Sequence, residues 1–336
     1  MNWRGFLRLL GDLWPADRGG IVTTKSVQSG ESRAFLGVSR VKARFIFNPH
    51  SGSNRRNPHL RDRALEFIRQ HGWDATVVAT ERPRHATDLA HRAVAEGCTL
   101  VVAIGGDGTM NEVASALVDT PTCFGLIPCG SGNGLGRHLG IRRPGRGAFR
   151  TLLEGRPLAI DTGMVNRDPF FCVAGAGFEA LIASRFATLT SRGFSGYLRT
   201  SADAWRSYRP EHYRIHHAGG VENIEAFTLT VSNSSQYGNN ALIAPGASVS
   251  DGLLDITAVP RVGLHNAVPL LWRLFNGSLN RVTSVRQWRG AQFTIEREKA
   301  GWIHTNGEPR AEIKRLEITV RPRSLQIMVP AESAAT

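Results

Sequence analysis

The sequence from Leu100 to Glu112 reads LVVAIGGDGTMNE, in which an aliphatic, β-branched run breaks into a glycine-rich turn. The run is typical of a buried strand, and we expect a helix to begin near Met110. Gly105, Gly106 and Gly108 can adopt a positive φ and bring backbone N–H groups close to an anion. The pattern predicts a phosphate-binding turn at a helix N-terminus, although strand-to-helix turns without a ligand can look the same.

Two polar residues inside this turn add to the prediction. Asp107 supplies a carboxylate at the place where a phosphate-bound Mg²⁺ would lie, and Thr109 is a candidate N-cap of the helix. A nucleotide with its magnesium ion is the kind of ligand that such a turn suits.

A second glycine-rich loop follows the next apolar run. Residues 124–127 read FGLI, and residues 128–139 read PCGSGNGLGRHL, which again ends in a helical pattern. The carboxyl ends of neighbouring parallel strands meet at one edge of a sheet, where open α/β folds bind ligands. We therefore expect the two loops to lie side by side and to form one ligand site.

The two loops together resemble the motifs of lipid kinases that carry a diacylglycerol kinase catalytic domain, a family that includes sphingosine kinases, ceramide kinases and bacterial relatives. NAD kinases share the first motif but differ in the second. Further segments that match the family are Phe47–Gly52, Asp161–Gly163, Gly175–Ala180, Asn233–Gly238 and Asp251–Asp255. The resemblance covers roughly residues 41–330.

The resemblance implies transfer of a phosphoryl group from ATP to a lipid hydroxyl, with Mg²⁺ as a second cofactor. The residues that we expect around the ATP are Asn48, Thr80, Gly105, Gly106, Asp107, Gly108, Thr109, Met110, Asn111, Glu112, Gly130, Ser131, Gly132 and Asn133. For bacterial members, it also implies a Mg²⁺ site outside the nucleotide, and the matching positions here are Ser248, Asp251 and Leu253. The Asp-Gly pair in this segment is also a strong hairpin signal on its own.

In the segment Thr305-Asn306-Gly307-Glu308, Asn306 stands where the family's Asp-Gly-Glu motif has its Asp. The resemblance implies that this Asp is the general base for the lipid hydroxyl, and here the position is Asn306. A carboxamide can orient a hydroxyl group but cannot accept its proton near pH 7. Glu308 or Asp107 would then take the proton, so the candidate catalytic residues are Asn306, Glu308 and Asp107.

Functions from different classes stay open at this point. General-base catalysis contributes about 10²–10⁴-fold, whereas phosphoryl transfer depends mainly on positioning and charge neutralisation. Loss of the base predicts a slow lipid kinase that acts on a diacylglycerol-like or sphingoid-like lipid. The alternative is a non-catalytic lipid- or nucleotide-binding protein on the same scaffold. A third interpretation, nucleic-acid binding, predicts a steep salt dependence of affinity.

Alternating strand and helix patterns from Val41 to about Leu158 predict a parallel sheet with helices on both faces. The predicted strands include 43–47 and 75–79, and the predicted helices include 58–71 and 86–96. Beyond Asp161, short runs near 170–173, 226–231, 254–259, 291–296 and 316–320 predict antiparallel strands, with helices near 178–209 and 264–276. The resemblance implies a last strand near 324–329 that returns to the first domain. Pattern and resemblance together predict an α/β plus β fold: a NAD-kinase-like three-layer α/β nucleotide domain followed by a β-sandwich-like second domain.

The expected domain boundaries follow from this change of pattern. They are an N-terminal extension over residues 1–40, an ATP-binding domain over 41–158 that a C-terminal strand near 323–330 joins, and a lipid-substrate domain over 159–322. Within the extension, Trp3, Phe6, Leu7, Leu10, Leu13 and Trp14 recur at helical spacing. This pattern is typical of an amphipathic helix, which either lies in a membrane interface or packs on the protein's own core.

The charge balance raises the question of anionic partners, because the formal net charge is +13 and the isoelectric point is near 10.6. No recognition helix, zinc finger or RNA-binding signature accompanies the arginines, so we expect peripheral contact with a membrane surface and no specific nucleic acid. No apolar run approaches the roughly 18–20 residues of a membrane span, which predicts a cytoplasmic protein at the inner face of the membrane.

Cys98, Cys123, Cys129 and Cys172 show no metal-site spacing, and we expect them to be reduced and mostly buried.

One segment imitates a dinucleotide site. Gly175-Ala176-Gly177-Phe178-Glu179-Ala180 fits the G-x-G-x-x-A fingerprint, but no acidic residue ends a following strand about 20 residues on. The resemblance instead implies that this segment faces the cleft, with Glu179 near the lipid headgroup. Residues that could line an acyl-chain pocket, or simply form core, are Phe186, Leu189, Phe194, Tyr197, Leu198, Trp205, Leu271, Trp272 and Phe275. The acceptor lipid and the oligomeric state do not follow from the sequence.

Overall fold

Four parallel strands and the helices between them form the first lobe of the molecule. The strands are β1 (Lys42–Phe47), β2 (Asp74–Ala79), β3 (Leu100–Gly105) and β4 (Cys123–Pro128), in the spatial order β4-β3-β1-β2. The helices are α1 (His59–His71), α2 (His85–Ala95), α3 (Asp107–Leu117), α4 (Gly134–His138) and α5 (Arg146–Glu154). β3 and β4 are buried along their whole length, which explains why they read as continuous apolar runs. The predicted parallel sheet is confirmed.

The computed structural model describes residues 41–52, 54, 59–130, 132–141, 146–187, 201, 203–205 and 207–333. These residues belong to one compact unit. The predicted extension over residues 1–40 lies outside the described residues, as do Ser131 and the acyl-chain candidates Leu189, Phe194, Tyr197 and Leu198. No helix in the described ranges is long and apolar enough to cross a membrane. Cys98, Cys123, Cys129 and Cys172 are free and buried, as expected.

Antiparallel strands build the second lobe. They are β5 (Arg156–Val165), β6 (Asp168–Phe170), β7 (Val173–Gly177), β8 (Glu211–His217), β9 (Gly220–Ala226), β10 (Thr228–Ser232), β11 (Leu254–Val259), β12 (Arg286–Gly290), β13 (Gln292–Thr305) and β14 (Glu308–Val329). Helix α7 spans Leu264–Asn276, as predicted. Helix α6 spans Phe178–Ala187, which is the first part of the helical stretch predicted near 178–209. The strands bury a common apolar core that includes Phe170, Tyr213 and Phe293.

The last strand connects the two lobes. β14 pairs antiparallel with β13 and β5 in the second lobe, and near its end it pairs in parallel with β4 through Ile327 and Phe124. The sequence predicted two separate strands over 316–320 and 324–329, which is wrong. The pairing of β14 with β5 shifts register between Arg321 and Leu325, and Arg323 adopts a positive φ of 52° there. Because this bulge interrupts the strand pattern, the sequence of one strand looks like two.

The segment that imitates a dinucleotide site is a strand. Gly175 and Gly177 both lie in β7, and α6 begins directly after them at Phe178. A Cβ atom on Gly175 would lie 1.7 Å from Glu179 Oε1, so this position needs glycine because of packing inside the lobe.

Candidate functional site

The first glycine turn differs from its predicted form. Helix α3 begins at Asp107 and not near Met110, because Gly106 is already its N-cap, with a φ of −88°. Gly105, Gly106 and Gly108 all have a negative φ, so the expectation of a left-handed turn was wrong. Crowding restricts the first two positions instead: a Cβ atom on Gly105 would lie 2.5 Å from the Cβ atom of Thr109, and one on Gly106 would lie 3.3 Å from the Cα atom of Gly130.

The N-terminus of α3 has no side-chain cap. Thr109 was predicted to be the N-cap, but it lies within the first turn of the helix, where its Oγ1 accepts a hydrogen bond of 2.8 Å from Asn48 Nδ2. The first N–H groups of a helix have no partner within the helix, so they can bind an anion. Nearby, the Asn111 side chain is buried and lies within hydrogen-bonding reach of the Glu308 carboxylate. These observations fit a phosphate-bearing ligand.

The two glycine-rich loops lie side by side, as the sequence predicted. Asp107 Oδ2 accepts a hydrogen bond of 2.9 Å from the N–H of Asn133, and Oδ1 accepts one of 3.0 Å from the N–H of Gly134. A Cβ atom on Gly130 would lie 2.9 Å from the Cα atom of Gly106. The carboxylate of Asp107 therefore joins the start of α3 to the second loop.

Other candidate ATP-binding side chains also hold the loops together. Asn133 closes its own loop, because its Nδ2 donates to the carbonyl of Gly130 at 2.7 Å and its Oδ1 accepts from the N–H of Gly130 at 2.9 Å. Glu112 accepts hydrogen bonds from the N–H groups of Arg84 and Ala86 at the start of α2. Thr80 is buried directly after β2, where its N–H donates to β1. These side chains therefore support the backbone of the loops through contacts within the protein.

Asn306 lies in the tight turn between β13 and β14. Asn306 and Gly307 have φ values of 51° and 82°, the positive pair that two-residue hairpin turns favour, and Thr305 pairs with Glu308 across the turn. The Oδ1 atom of Asn306 accepts hydrogen bonds of 3.0 and 2.8 Å from the N–H groups of Phe171 and Cys172. The carboxamide therefore fixes the turn against the segment between β6 and β7.

Glu308 reaches from the second lobe to the N-terminus of α3. A Cβ atom on Gly108 would lie 3.0 Å from Glu308 Oε1, and Glu308 Oε2 lies 3.8 Å from the guanidinium of Arg310. Burial raises the pKa of the Glu308 carboxyl and Glu112 adds to that rise, whereas Arg310 and a hydrogen bond with Asn111 oppose it. A carboxylate with a raised pKa is a better proton acceptor near neutral pH than an ordinary one. Asp107 and Glu308 thus approach the same helix end from different lobes.

Glu179 belongs to a buried polar cluster behind the turn. Its Oε1 accepts a hydrogen bond of 2.9 Å from the Thr230 hydroxyl, and its Oε2 accepts one from the Tyr237 hydroxyl. His304 Nε2 lies 3.6 Å from Glu179 Oε1, while His304 Nδ1 accepts the N–H of Gly307. These contacts are internal to the lobe, and a role of Glu179 at the lipid headgroup stays a prediction.

The predicted magnesium positions fit a divalent cation poorly as they are arranged. Asp251 Oδ2 pairs with the guanidinium of Arg289, and its Oδ1 accepts the N–H of Leu253. Ser248 Oγ accepts the N–H of Ser250. Arg289 Nε also lies 3.8 Å from Asp255 Oδ1, so a fixed positive charge already lies between the two carboxylates. Within the described ranges, no group of three or more His, Cys, Asp or Glu side chains could hold a metal ion.

Two domain profiles match the chain along most of the described residues. Residues 42–165 match the diacylglycerol kinase catalytic domain, and residues 172–329 match the YegS C-terminal NAD kinase beta sandwich-like domain. A Pseudomonas fluorescens protein named "Probable lipid kinase YegS-like" is 30% identical over 274 residues, which cover 80% of this chain and 90% of that protein. The chain belongs to the diacylglycerol kinase catalytic-domain family of lipid kinases. A family relative from Bacillus subtilis named "Diacylglycerol kinase" is 31% identical over 230 residues, or 66% of this chain and 75% of that protein.

A solved structure confirms the fold class. The crystal structure of a diacylglycerol kinase from Bacillus anthracis has a TM-score of 0.69 and 21% identity, and the match covers 86% of this chain and 97% of that one. At this level of identity the likeness shows the fold alone. The predicted α/β domain followed by a β-sandwich-like domain is therefore confirmed for this member of the family, while the predicted boundaries at 158 and 322 stay predictions.

Several residues that shape the site lie in segments that match the family, but the sequence did not indicate their contacts. The fully buried Asp161 accepts the N–H groups of Gly252 and Arg323 and so anchors the Asp-Gly turn to the bulge of β14. His138 at the end of α4 accepts a hydrogen bond from the Ser235 N–H of the second lobe. A Cβ atom on Gly238 would lie 3.1 Å from the carbonyl oxygen of Gly132. Such contacts join distant parts of the chain, and neither residue type nor spacing predicts them.

Proposed function

We propose that the protein is an ATP-dependent lipid kinase that transfers the γ-phosphoryl group to a hydroxyl of a diacylglycerol-like or sphingoid-like lipid at the membrane surface. The observation that carries the proposal is the uncapped N-terminus of α3, which lies against the second glycine loop and receives Glu308 from the other lobe. A helix N-terminus favours phosphate charge, and a carboxylate beside it is placed to take a proton from a nucleophile. Family membership supports the same reaction.

The binding role falls mainly on the backbone of the two loops. ATP supplies the γ-phosphoryl group, and the candidate residues around Gly105–Glu112 and Gly130–Asn133 would hold its phosphates through N–H groups and the helix dipole. Asn111, which is buried on α3 beside Glu308, would help to position that carboxylate. Mg²⁺ would accompany the phosphates, with Asp107 as the nearest candidate carboxylate.

We assign the proton transfer to Glu308 and not to Asn306. The Asn306 Oδ1 atom already accepts two backbone N–H groups, and a carboxamide cannot take a proton. Glu308 has a pKa that burial raises and lies at the end of α3 where the phosphates would bind. Asn306 would then act as a positioning residue that holds the turn from which Glu308 projects.

A non-catalytic binding protein is the second candidate, and the state of Asn306 favours it. The Asn306 side chain makes the hydrogen bonds of the turn through one oxygen, so the lobe keeps its structure without a carboxylate at this position. A protein that binds nucleotide and lipid without transferring phosphate would need this turn but no carboxylate at position 306.

The deciding experiment is transfer of labelled γ-phosphate from ATP with Mg²⁺ to diacylglycerol, monoacylglycerol, sphingosine and ceramide in mixed micelles. We expect the wild-type protein to label one acceptor class, and we expect Asn306→Asp to change that rate by less than about tenfold, since the base is already present. A wild-type protein that binds ATP without labelling any acceptor, together with an active Asn306→Asp variant, would establish the binding protein instead. Loss of the signal in Glu308→Gln would distinguish this protein's activity from that of a contaminating kinase.

A further inference from the structure

Helix α7 carries an apolar face that the protein does not bury. Val268, Trp272 and Phe275 are 42%, 55% and 41% exposed, and their spacing of four and three residues places them on one side of the helix. They are half of the six exposed large apolar side chains among the described residues. Trp272 and Phe275 were candidates for an acyl-chain pocket inside the protein, but their side chains face solvent. A contiguous exposed patch of this kind marks a contact site.

The opposite face of α7 is firmly packed. Leu270 belongs to the core cluster that also contains Ile243 and Val285, and Leu274 packs against that cluster. The N–H of Leu242 donates to the carbonyl of Leu274 at 2.8 Å. The exposed face therefore belongs to a fixed helix and is not a loosely attached segment.

The chain segment that carries α7 is rich in positive charge. From residue 256 to residue 295 it contains no Asp or Glu but five arginines, namely Arg261, Arg273, Arg281, Arg286 and Arg289. Arg286 and Arg289 form ion pairs with Glu222, Asp251 and Asp255, so the net positive charge of the segment comes from Arg261, Arg273 and Arg281. Arg261 and Arg281 flank the helix on its two sides in the sequence, and both are exposed. An exposed tryptophan and phenylalanine beside arginines match the chemistry of a bilayer interface with anionic headgroups. A second copy of the same face would bring like charges together.

The helix is also connected to the candidate site. The segment that hydrogen-bonds to α7 through Leu242 continues back to Gly238 and Asn239, and the Asn239 N–H donates to the carbonyl of Gly132 at 3.4 Å. One short segment thus spans from α7 to the second glycine loop. Contact of α7 with a bilayer would hold the glycine loop at a fixed distance from the lipids.

We propose that the Val268–Trp272–Phe275 face of α7 docks on an anionic phospholipid bilayer. The proposal rests on the proposed lipid kinase function for its purpose, but its test needs neither ATP nor an acceptor lipid. It assigns the membrane contact to a helix of the second lobe, independently of the predicted helix within residues 1–40.

The test is flotation of the full chain with vesicles of pure phosphatidylcholine or of phosphatidylcholine mixed with phosphatidylglycerol. We expect binding to the mixed vesicles, and we expect Trp272→Ser to weaken it by about tenfold or more, since burial of a large aromatic side chain is lost. Trp302→Ser is the matched control, because Trp302 is 40% exposed but lies on β13. Every variant keeps residues 1–40, so the difference between the two variants reports on α7 alone.

The charge arm of the test uses Arg261→Gln and Arg281→Gln, each of which should weaken binding to the anionic vesicles by about fivefold at low salt. Equal binding by Trp272→Ser and Trp302→Ser would overturn the proposal, as would equal binding to neutral and anionic vesicles. A dimer in sedimentation velocity that dissociates in Trp272→Ser would also overturn it and would assign the face to a second copy. Vesicle binding by a protein without kinase activity would refute the proposed function and leave this inference standing.

Discussion

The two lobes use their glycine turns in different ways. In the first lobe, the side-chain oxygens of Asp107 accept hydrogen bonds from backbone N–H groups of the second glycine loop, and that of Asn133 accepts one from its own loop. In the second lobe, Asn306 fixes its turn in the same manner, but the turn projects one further carboxylate, Glu308, onto the end of α3. In the proposed kinase, the nucleotide side would thus depend on a backbone that many side chains support, whereas the acceptor side would depend on one side chain. Substitutions should act through structure on the first side and through chemistry on the second.

The largest expected effect is on catalysis by Glu308→Gln. Glutamine keeps the size of the side chain but cannot accept a proton, so we expect kcat to fall by about 10²–10⁴-fold with little change in the free energy of unfolding. Steady-state kinetics with the acceptor lipid that the labelling experiment identifies, together with a urea titration, would measure both quantities. The matched control is Glu317→Gln on the same strand, where the side chain is 66% exposed. If both variants kept full activity, Glu308 would not be the base.

The pH dependence of the wild-type rate gives a second measurement on the same residue. Because burial raises the pKa of Glu308, the base loses its proton at a higher pH than an ordinary glutamate. The acidic limb of kcat/KM should therefore lie above the usual glutamate pKa of about 4.3. In Asn306→Asp, a new limb at lower pH would indicate that the aspartate has taken over the proton.

The next effect in size is on the nucleotide side, in Asp107→Ala. The substitution leaves the N–H groups of Asn133 and Gly134 without their acceptor, so we expect the free energy of unfolding to fall by about 3 kcal/mol. Nucleotide affinity should fall with it, as measured by calorimetric titration. Asp62→Ala is the control, since the Asp62 side chain is 75% exposed on α1 and lies 3.8 Å from His59. A variant of Asp107 with unchanged stability and ATP binding but no turnover would contradict this structural role.

The sequence predicts the first lobe better than the second, and the reason is physical. β1 to β4 are short, apolar and local, so periodicity and turn residues suffice to find them. β14 is a 22-residue strand that has charged residues and a bulge between Arg321 and Leu325. This interruption makes its sequence look like two short strands. The departure at Asn306 was visible in the sequence, but its two hydrogen bonds to Phe171 and Cys172 join positions more than 130 residues apart. The glycines at 105 and 106 were found for the wrong reason, since close packing and not a positive φ requires them.

A smaller effect concerns the contact between the lobes at His138. His138 Nδ1 lies 2.9 Å from Ser235 Oγ, its Nε2 is buried without a partner, and burial lowers the pKa of His138 to about 4. The folded protein keeps this histidine neutral, whereas the unfolded chain binds a proton below about pH 6.5, so the stability contributed is present above that pH and is lost as the pH falls towards 4. The loss between pH 7 and pH 5 should be about 2 kcal/mol.

Unfolding titrations of wild type and His138→Asn at the two pH values would check this expectation. Asparagine keeps an acceptor for Ser235 but does not titrate, so the difference between pH 7 and pH 5 should shrink in the variant. His59→Asn serves as the control, because the His59 side chain is 79% exposed. Equal pH dependence in all three proteins would show that His138 accepts a proton without cost in the folded state.

The smallest expected effect lies at the edge of the second lobe, where Arg289 stands between Asp251 and Asp255. Burial raises the pKa of the Asp255 carboxyl, Arg289 lowers it, and Asp251 raises it, so the guanidinium reduces the repulsion between the two carboxylates.

We expect thermal unfolding of the nucleotide-free wild type to be insensitive to Mg²⁺, since Arg289 already supplies the positive charge. Arg289→Gln should lose about 1 kcal/mol in the presence of a chelator and recover it on addition of MgCl₂. Arg286→Gln on the same strand, which breaks an ion pair with Glu222, should show no such recovery. A wild-type protein that Mg²⁺ stabilises as strongly as the variant would mean that the ion displaces Arg289, and the magnesium site expected from the sequence would then exist in this member of the family.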